Sequence, residues 1–286
     1  MPDGATAVAP AASARTKSRS LRVGPVVLTA PAVVALVVFF LAPLVAFFVY
    51  SFLTAGLFTV SGPLTLSAYS EALQSSLNRI LARNSVIVGL LAGVVTVVVA
   101  LPIAYWLRYT ASRWRMPVFF LITASMFASY LVRIYAWRTV LGTNGIINSG
   151  LQRLGIIDDP LNFILYNRFS VTVALVHIFL PYVVIVLFAA FGPLTPAIIE
   201  AAQDLGANGV TRWRTVILPL VAAPALTAFL FVFVLSASDY VTPQLIGGTD
   251  GVLLGVQIAA NFKAVGDWSL GAATALLMLA AFVVCY

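Results

Sequence analysis

The sequence predicts an all-α integral membrane protein of six transmembrane helices, and three observations carry that reading. Hydrophobic residues make up 62% of the 286 and charged residues only 9%, against about 25% charged in an ordinary soluble domain. Mean hydropathy is +1.05. The apolar residues also fall into runs near the roughly 20 residues that cross a bilayer core as a helix, so no large extramembrane domain fits between them.

Residues 1–25 read as a flexible basic cytoplasmic tail, rich in Ala, Ser and Pro and carrying Arg15, Lys17, Arg19 and Arg22. A basic stretch also opens a signal peptide, but the apolar run that follows exceeds a signal core of about 7 to 15 residues and lacks a small-residue cleavage site. The rest, 26–286, reads as one transmembrane domain with spans at 26–52, 84–107, 116–140, 169–191, 218–240 and 268–286. In the second span, Gly89 and Gly93 suit close helix packing. Outer loops at 54–83 and 141–168 hold turn chemistry, Ser61-Gly62-Pro63 and Asp159-Pro160. Segment 241–267, with Pro243 and the Gly247-Gly248 pair, is expected to fold back on itself, because irregular backbone at membrane depth must be buried in protein or line a cavity. Tyr286 ends the chain inside the last apolar run, the pattern expected where a cytoplasmic flank is missing.

The net charge of +7 does not point to nucleic acid, since the basic residues are dispersed and not interleaved with aromatics on one surface. It fits membrane orientation. An internal N-terminus puts nine of the 16 Lys and Arg on the cytoplasmic side: the four of the tail, Arg108, Arg113, Arg115, Arg212 and Arg214. Cys285 is the lone cysteine, which excludes an internal disulfide or a Cys-based metal site. No paired carboxylates, His-rich metal set or serine-base arrangement falls within the spans, so neither a catalytic nor a metal site is expected. There is no Gly-rich loop ending in Lys-Ser or Lys-Thr to bind a nucleotide. The absence of an internal repeat weighs against an inverted-repeat secondary transporter.

The cytoplasmic loop 192–217 has the punctuation of a short helix. Thr195 can cap it, Pro196 suits its first position, and Gly206 suits a left-handed residue just past its end. Ile198, Ala201, Ala202 and Leu205 recur at three- and four-residue spacing, flanked by Glu200, Gln203 and Asp204. Glu200 and Asp204 are like charges one turn apart, which costs about 0.2–0.5 kcal/mol in an isolated helix. A second segment, 210–217, brings Arg212, Trp213 and Arg214 back toward the membrane before Leu218-Pro219 opens span five. Two readings stay open on physics alone: a hairpin on the membrane surface with its arginines on lipid headgroups, or a helix seated in a groove of another protein.

Glu200-Ala201-Ala202, Gly206, Val216 and Leu218-Pro219 together resemble the signature loop of ABC importer permeases. Val216 stands where that family commonly has Ile. The resemblance implies the fold of a type I importer permease and makes the first helix the coupling helix that enters a cleft in a separate ATPase. Glu200, Ala201, Ala202, Asp204, Gly206, Ala207 and Arg212 are then the coupling residues. It also implies two ATPase subunits, which bind the ATP and Mg, a second permease subunit forming a heterodimer, an extracytoplasmic substrate-binding protein, and a bacterial inner-membrane location.

Ser129 to Trp137 (with Arg133 and Tyr135), Gly145-Ile146-Ile147-Asn148, Pro160-Leu161-Asn162, Asp239 to Pro243 and Leu245 to Gly248 resemble the spermidine/putrescine permeases. That implies a polyamine cargo, with another small organic solute as the alternative. A polyamine would need carboxylates and aromatic faces along its path, and Asp239, Tyr240, Tyr135 and Trp137 are the candidates. Asp239 either lines the pore or pairs with an arginine of span three. Arg133 and Arg138 would repel a cationic cargo unless they snorkel or pair with an acid. His177, beside Pro181, reads as a proton relay or as a hydrogen-bonded packing residue.

Overall fold

The structure, a computed structural model, describes residues 25–286 except Leu57, Ala111, Ser112 and Tyr286. The predicted basic tail and the terminal Tyr286 therefore lie outside the described residues. The chain divides after Ala46 into two compact units. The first holds α1 (Pro25–Leu36), a π turn, Val37–Leu41, and the start of α2 (Ala42–Tyr50), whose remainder belongs to the second. Thr29–Tyr50 is apolar all round and, at 22 residues, long enough to cross a membrane. This matches the first predicted span.

In the second unit, Phe47–Tyr286, the end of α2 is followed by a two-stranded antiparallel hairpin, β1 (Thr54–Gly56) and β2 (Thr59–Ser61). Then follow α3 (Ser67–Gln74), α4 (Ser76–Tyr109), α5 (Arg115–Met126), α6 (Tyr130–Leu141), α7 (Ile146–Arg153), α8 (Arg168–Ala190), α9 (Pro196–Asp204), α10 (Gly209–Arg212), α11 (Leu218–Ala237), α12 (Val241–Ile246), α13 (Leu254–Ala260) and α14 (Trp268–Cys285). Its centre is α4 packed against α8 and α11.

Small residues let these three helices approach. Ala92, Ala100 and Ala104 of α4 are fully buried. A Cβ on Gly89 would sit 2.9 Å from both the Ala237 methyl and the Phe233 carbonyl oxygen, and one on Gly93 would sit 2.8 Å from the Phe229 ring. Between helices already in lipid there is little hydrophobic gain to be had, so this contact rests on van der Waals packing. Val171, Leu175, Leu187, Val221 and Val232 complete the core.

Three predicted spans differ from the structure. Span two begins eight residues earlier, because the Ser75 hydroxyl accepts the Asn78 N–H and caps a helix at Ser76; its 34 residues run about 51 Å and overshoot a core of about 30 Å. Span three is not one rod. It breaks between Met126 and Tyr130 with a bend of 100°, where Phe127 and Ala128 close the first helix with tight bonds to Ala124 and Ser125 and Ser129 restarts the chain in an extended conformation. Span five starts at Gly209, not 218, and the basic segment expected to form the second arm of a hairpin is instead its first turns. A π turn, Trp213–Ile217, joins α10 to α11, with the Leu218 N–H reaching the Trp213 carbonyl. Pro219 has no N–H for the Thr215 carbonyl, and the wider turn before it accommodates the loss.

The segment after α11 folds back as expected. Asn84 donates to the carbonyl of Val252 at 3.3 Å, Ser85 accepts the Leu254 N–H at 2.9 Å, and Ser170 donates to the Ile246 carbonyl at 2.7 Å. These side chains of α4 and α8 satisfy backbone groups that a bilayer would leave unpaired.

Candidate functional site

The predicted coupling residues follow the C-terminal end of α8, and the predicted cargo-path residues lie on α6 and at the junction of α11 with α12. After α8, Pro196 takes the first position of α9, and the helix closes with the Ala207 N–H on the Ala202 carbonyl and the Gly206 N–H on the Gln203 carbonyl. That is a Schellman close, and it requires the left-handed backbone Gly206 adopts at φ +81°. Thr195 occupies the capping position, but its hydroxyl makes no capping bond; its carbonyl takes the Ile198 and Ile199 N–H groups.

The helix is rotated relative to the expected apolar stripe. Ile199 and Ala202 face the bundle, while Ile198 is 38% and Leu205 89% exposed, and Glu200, Ala201 and Asp204 are exposed with them. The rotation is set at the ends, by Leu194, buried just before the helix, and by the reversal at Gly206. The result is an outward face of two carboxylates, a methyl and two aliphatic side chains. Arg212, half-buried at the start of the long helix, has its Nε buried without a partner among the described residues.

Behind α9 lies an aromatic cluster that the sequence reading missed. Tyr105 stands 4.8 Å from Tyr109, 5.9 Å from Phe191 and 5.1 Å from Trp213, centroid to centroid. The Tyr109 hydroxyl donates to the carbonyls of Phe191 and Leu194. Arg115 and Arg108 lie over the Phe188 ring at 5.0 and 5.8 Å. The C-terminal ends of α4 and α8 and the first turns of the helix that continues into α11 thus meet at the chain that carries α9. The available signal was the i, i+4 pair of tyrosines at the end of a span, whose hydroxyls need partners.

Asp239, where α11 gives way to α12, has its carboxylate engaged by backbone and a phenol, with no arginine pair among the described residues. Its oxygens accept the Val241 and Thr242 N–H groups, both at 3.1 Å, and the Tyr130 hydroxyl at 2.9 Å. Thr242 Oγ1 lies 2.9 Å from the same hydroxyl. The carboxylate therefore starts α12 and fastens it to α6 just past the break. Arg133 Nη1 donates to the Ile178 carbonyl at 3.2 Å, on the turn of α8 that Pro181 loosens, and no acid pairs with it among the described residues. His177 packs edge-on against Trp137 at 5.7 Å without the expected hydrogen bond.

The three candidate aromatics occupy separate cavities. Tyr240 borders a cleft of about 550 Å³ between α11, α13 and α14, with the Lys263 ammonium 5.0 Å over its ring. Trp137 and His177 line an apolar cleft of about 530 Å³ against Leu91 and Val95. Tyr135 lines a cavity of about 440 Å³ with Arg138 and Tyr166, between the end of α6 and the start of α8. Among the described residues, no group of three or more His, Cys, Asp or Glu could hold a metal ion.

No family model matches the chain. Over 254 residues it is 30% identical to the spermidine/putrescine transport system permease protein PotB of Haemophilus influenzae, covering 87% of this chain and 88% of that protein. Over 94 residues it is 33% identical to PotC of the same organism, covering 33% of this chain and 37% of that protein. A crystal structure of a bacterial ABC transporter involved in importing the acidic polysaccharide alginate superposes on 90% of both chains with a TM-score of 0.75 and 15% identity. The alginate transporter in complex with a pentasaccharide-bound periplasmic protein gives 0.69 at 15% identity, over 90% of this chain and 89% of that one. At that identity the likeness is one of fold.

Proposed function

The chain belongs to the spermidine/putrescine permease family of ABC importers, and from that premise we propose that it is the membrane-spanning subunit through which polyamines enter the cytoplasm. It is a transport subunit, not an enzyme. The observation that carries the coupling half of this reading is the outward face of α9. A helix set off from its own bundle, with Ile198, Ala201 and Leu205 exposed beside Glu200 and Asp204, suits a groove with an apolar floor and a basic rim.

That groove belongs to an ATPase subunit, which binds ATP and Mg. Ala201 allows close approach while Ala202, predicted to share that face, packs against the bundle instead, the Gly206–Ala207 close fixes where the chain leaves the groove, and the two carboxylates meet cations that offset their mutual repulsion. Arg212 completes the surface on the adjoining helix. When the ATPases close, the displaced α9 pulls on Phe191 and Leu194. The Tyr105–Tyr109–Trp213 cluster carries that movement to α4, α8 and α11 as one body, because packed aromatic contacts shift between discrete arrangements and do not deform continuously.

The assembly comprises two such ATPases, a second permease of the PotC type and an extracytoplasmic binding protein, in a bacterial inner membrane with the N-terminus inside. For the cargo path we propose Asp239 and Tyr240, where α11 gives way to α12, with Trp137 across the central helices. Tyr240 presents a ring already used by an ammonium, that of Lys263, which is the contact a polyamine would make. Because the Asp239 carboxylate is held by Tyr130 and backbone, a different small organic solute of the same subfamily is the second reading.

The deciding measurement is uptake of radiolabelled spermidine and putrescine by the reconstituted complex, with thiamine and other small organic solutes as competitors. ATP-dependent uptake that only polyamines compete for is expected. No uptake of either polyamine would overturn the cargo and leave the permease assignment standing.

A further inference from the structure

We propose that the outer cavity around Arg138 is the seat of an acidic side chain of the extracytoplasmic binding protein, so that docking there is steered by charge. The inference rests on the reading that such a protein delivers the cargo, and adds the place and chemistry of its contact.

Position is the first argument. The cavity is lined by Tyr135, Arg138, Gly142 and Thr143 at the end of α6 and by Leu165 and Tyr166 just before α8. The α9 loop leaves the opposite end of α8, whose 23 residues place the two about 34 Å apart. A cavity at that distance faces the side from which cargo arrives.

Its chemistry is the second. No carboxylate lines the cavity, and the Arg138 guanidinium and the phenols of Tyr135 and Tyr166 take no hydrogen-bond partner among the described residues, whereas the Thr143 hydroxyl is occupied by Asn162 Oδ1 at 3.3 Å. Arg138 is exposed, so the cavity offers one cation and two neutral donors to an incoming group. A polyamine would be repelled. A carboxylate would be accepted, in the paired geometry a guanidinium favours. The cavity therefore suits the protein that carries the cargo better than the cargo itself.

Connection is the third. Tyr166 is held at φ +64°, a left-handed backbone unusual for a bulky residue. Gly248, itself at φ +58°, lies so close that a Cβ there would collide with the Tyr166 carbonyl. The Gly247–Gly251 turn is part of the fold-back that Asn84, Ser85 and Ser170 bond to α4 and α8. A protein gripping Arg138 and Tyr166 would thus press on the turn joining the central helices.

The test is ATP hydrolysis by the complete reconstituted complex, titrated with spermidine-loaded binding protein at low and high salt. For the wild type, the half-saturating concentration should rise with salt. Arg138→Glu should raise it about tenfold or more at low salt, and Arg138→Gln by less while flattening the salt dependence. Hydrolysis without binding protein should be unchanged in both variants, which also shows that they assemble. If both variants titrate like the wild type, the Arg138 site is wrong while delivery by a binding protein stands. If the wild type itself does not respond to binding protein, the delivery reading fails and takes this inference with it.

Discussion

Gly206→Ala isolates a single backbone angle. A Cβ at Gly206 meets nothing within 4 Å, so the substitution adds no clash, and its whole cost comes from holding an L-residue at φ +81°. That costs about 1–2 kcal/mol, and a penalty of this size shifts a local equilibrium roughly 5- to 30-fold. It falls on the Schellman close, the bonds from Gly206 to Gln203 and from Ala207 to Ala202, and so on the end of α9, not on the core. The complex should still insert and melt as the wild type does, while co-purification of the ATPase and ATP-driven uptake fall about 5- to 30-fold. Gly206→Asn is the control, because asparagine enters the left-handed region at lower cost, and it should retain most of the coupling. Equal losses from Ala and Asn would refute the backbone argument. So would a drop in melting temperature matching that of a core substitution, since α9 would then be holding the bundle together.

Two further substitutions test the packing. Gly93→Leu forces a side chain into the 2.8 Å gap to the Phe229 ring and should destabilise the α4–α11 contact by about 1–3 kcal/mol, read as a lower melting temperature in detergent; Gly150→Ala, with nothing within 4 Å, should leave it unchanged. Tyr130→Phe removes the hydroxyl shared by Asp239 and Thr242 and should cost about 1–3 kcal/mol, because the carboxylate is left with backbone donors only. The loss should appear as faster hydrogen exchange at the Val241 and Thr242 amides, and unchanged exchange there would contradict the role given to Asp239 at the start of α12.

Much of this architecture was legible in the chain. Span four, expected at 169–191, is the helix Arg168–Ala190, because a long apolar run is read from hydropathy alone; the capping box of Asn167 and Ser170 that starts it emerged only in the structure. Pro196 and Gly206 bracketed α9 because each is suited to one backbone geometry. The apolar run at 116–140 gave no sign of its break, since hydropathy averages over Phe127–Ser129 and carries no bond angles. Residues 76–83 looked like loop because Asn78, Arg79 and Arg83 interrupt the apolar run, yet a helix continues through them once Ser75 caps it. Spacing along one helix also could not say which face of α9 turns inward, as Leu194, buried just before it, and the reversal at Gly206 decide that from its ends.

The four cargo-path candidates show the same division. Residue type marked Asp239, Tyr240, Tyr135 and Trp137 as able to receive a cation, composition and periodicity determined an all-α membrane protein with a short amphipathic helix between spans four and five, and the resemblance of the loop ending in Leu218-Pro219 implied an importer permease. Only the tertiary structure decided that Asp239 spends its oxygens on α12 and Tyr130, that Lys263 lies over Tyr240, and that Tyr135 faces Arg138. A side chain's chemistry is local, whereas its partners come from whichever helices the fold brings beside it.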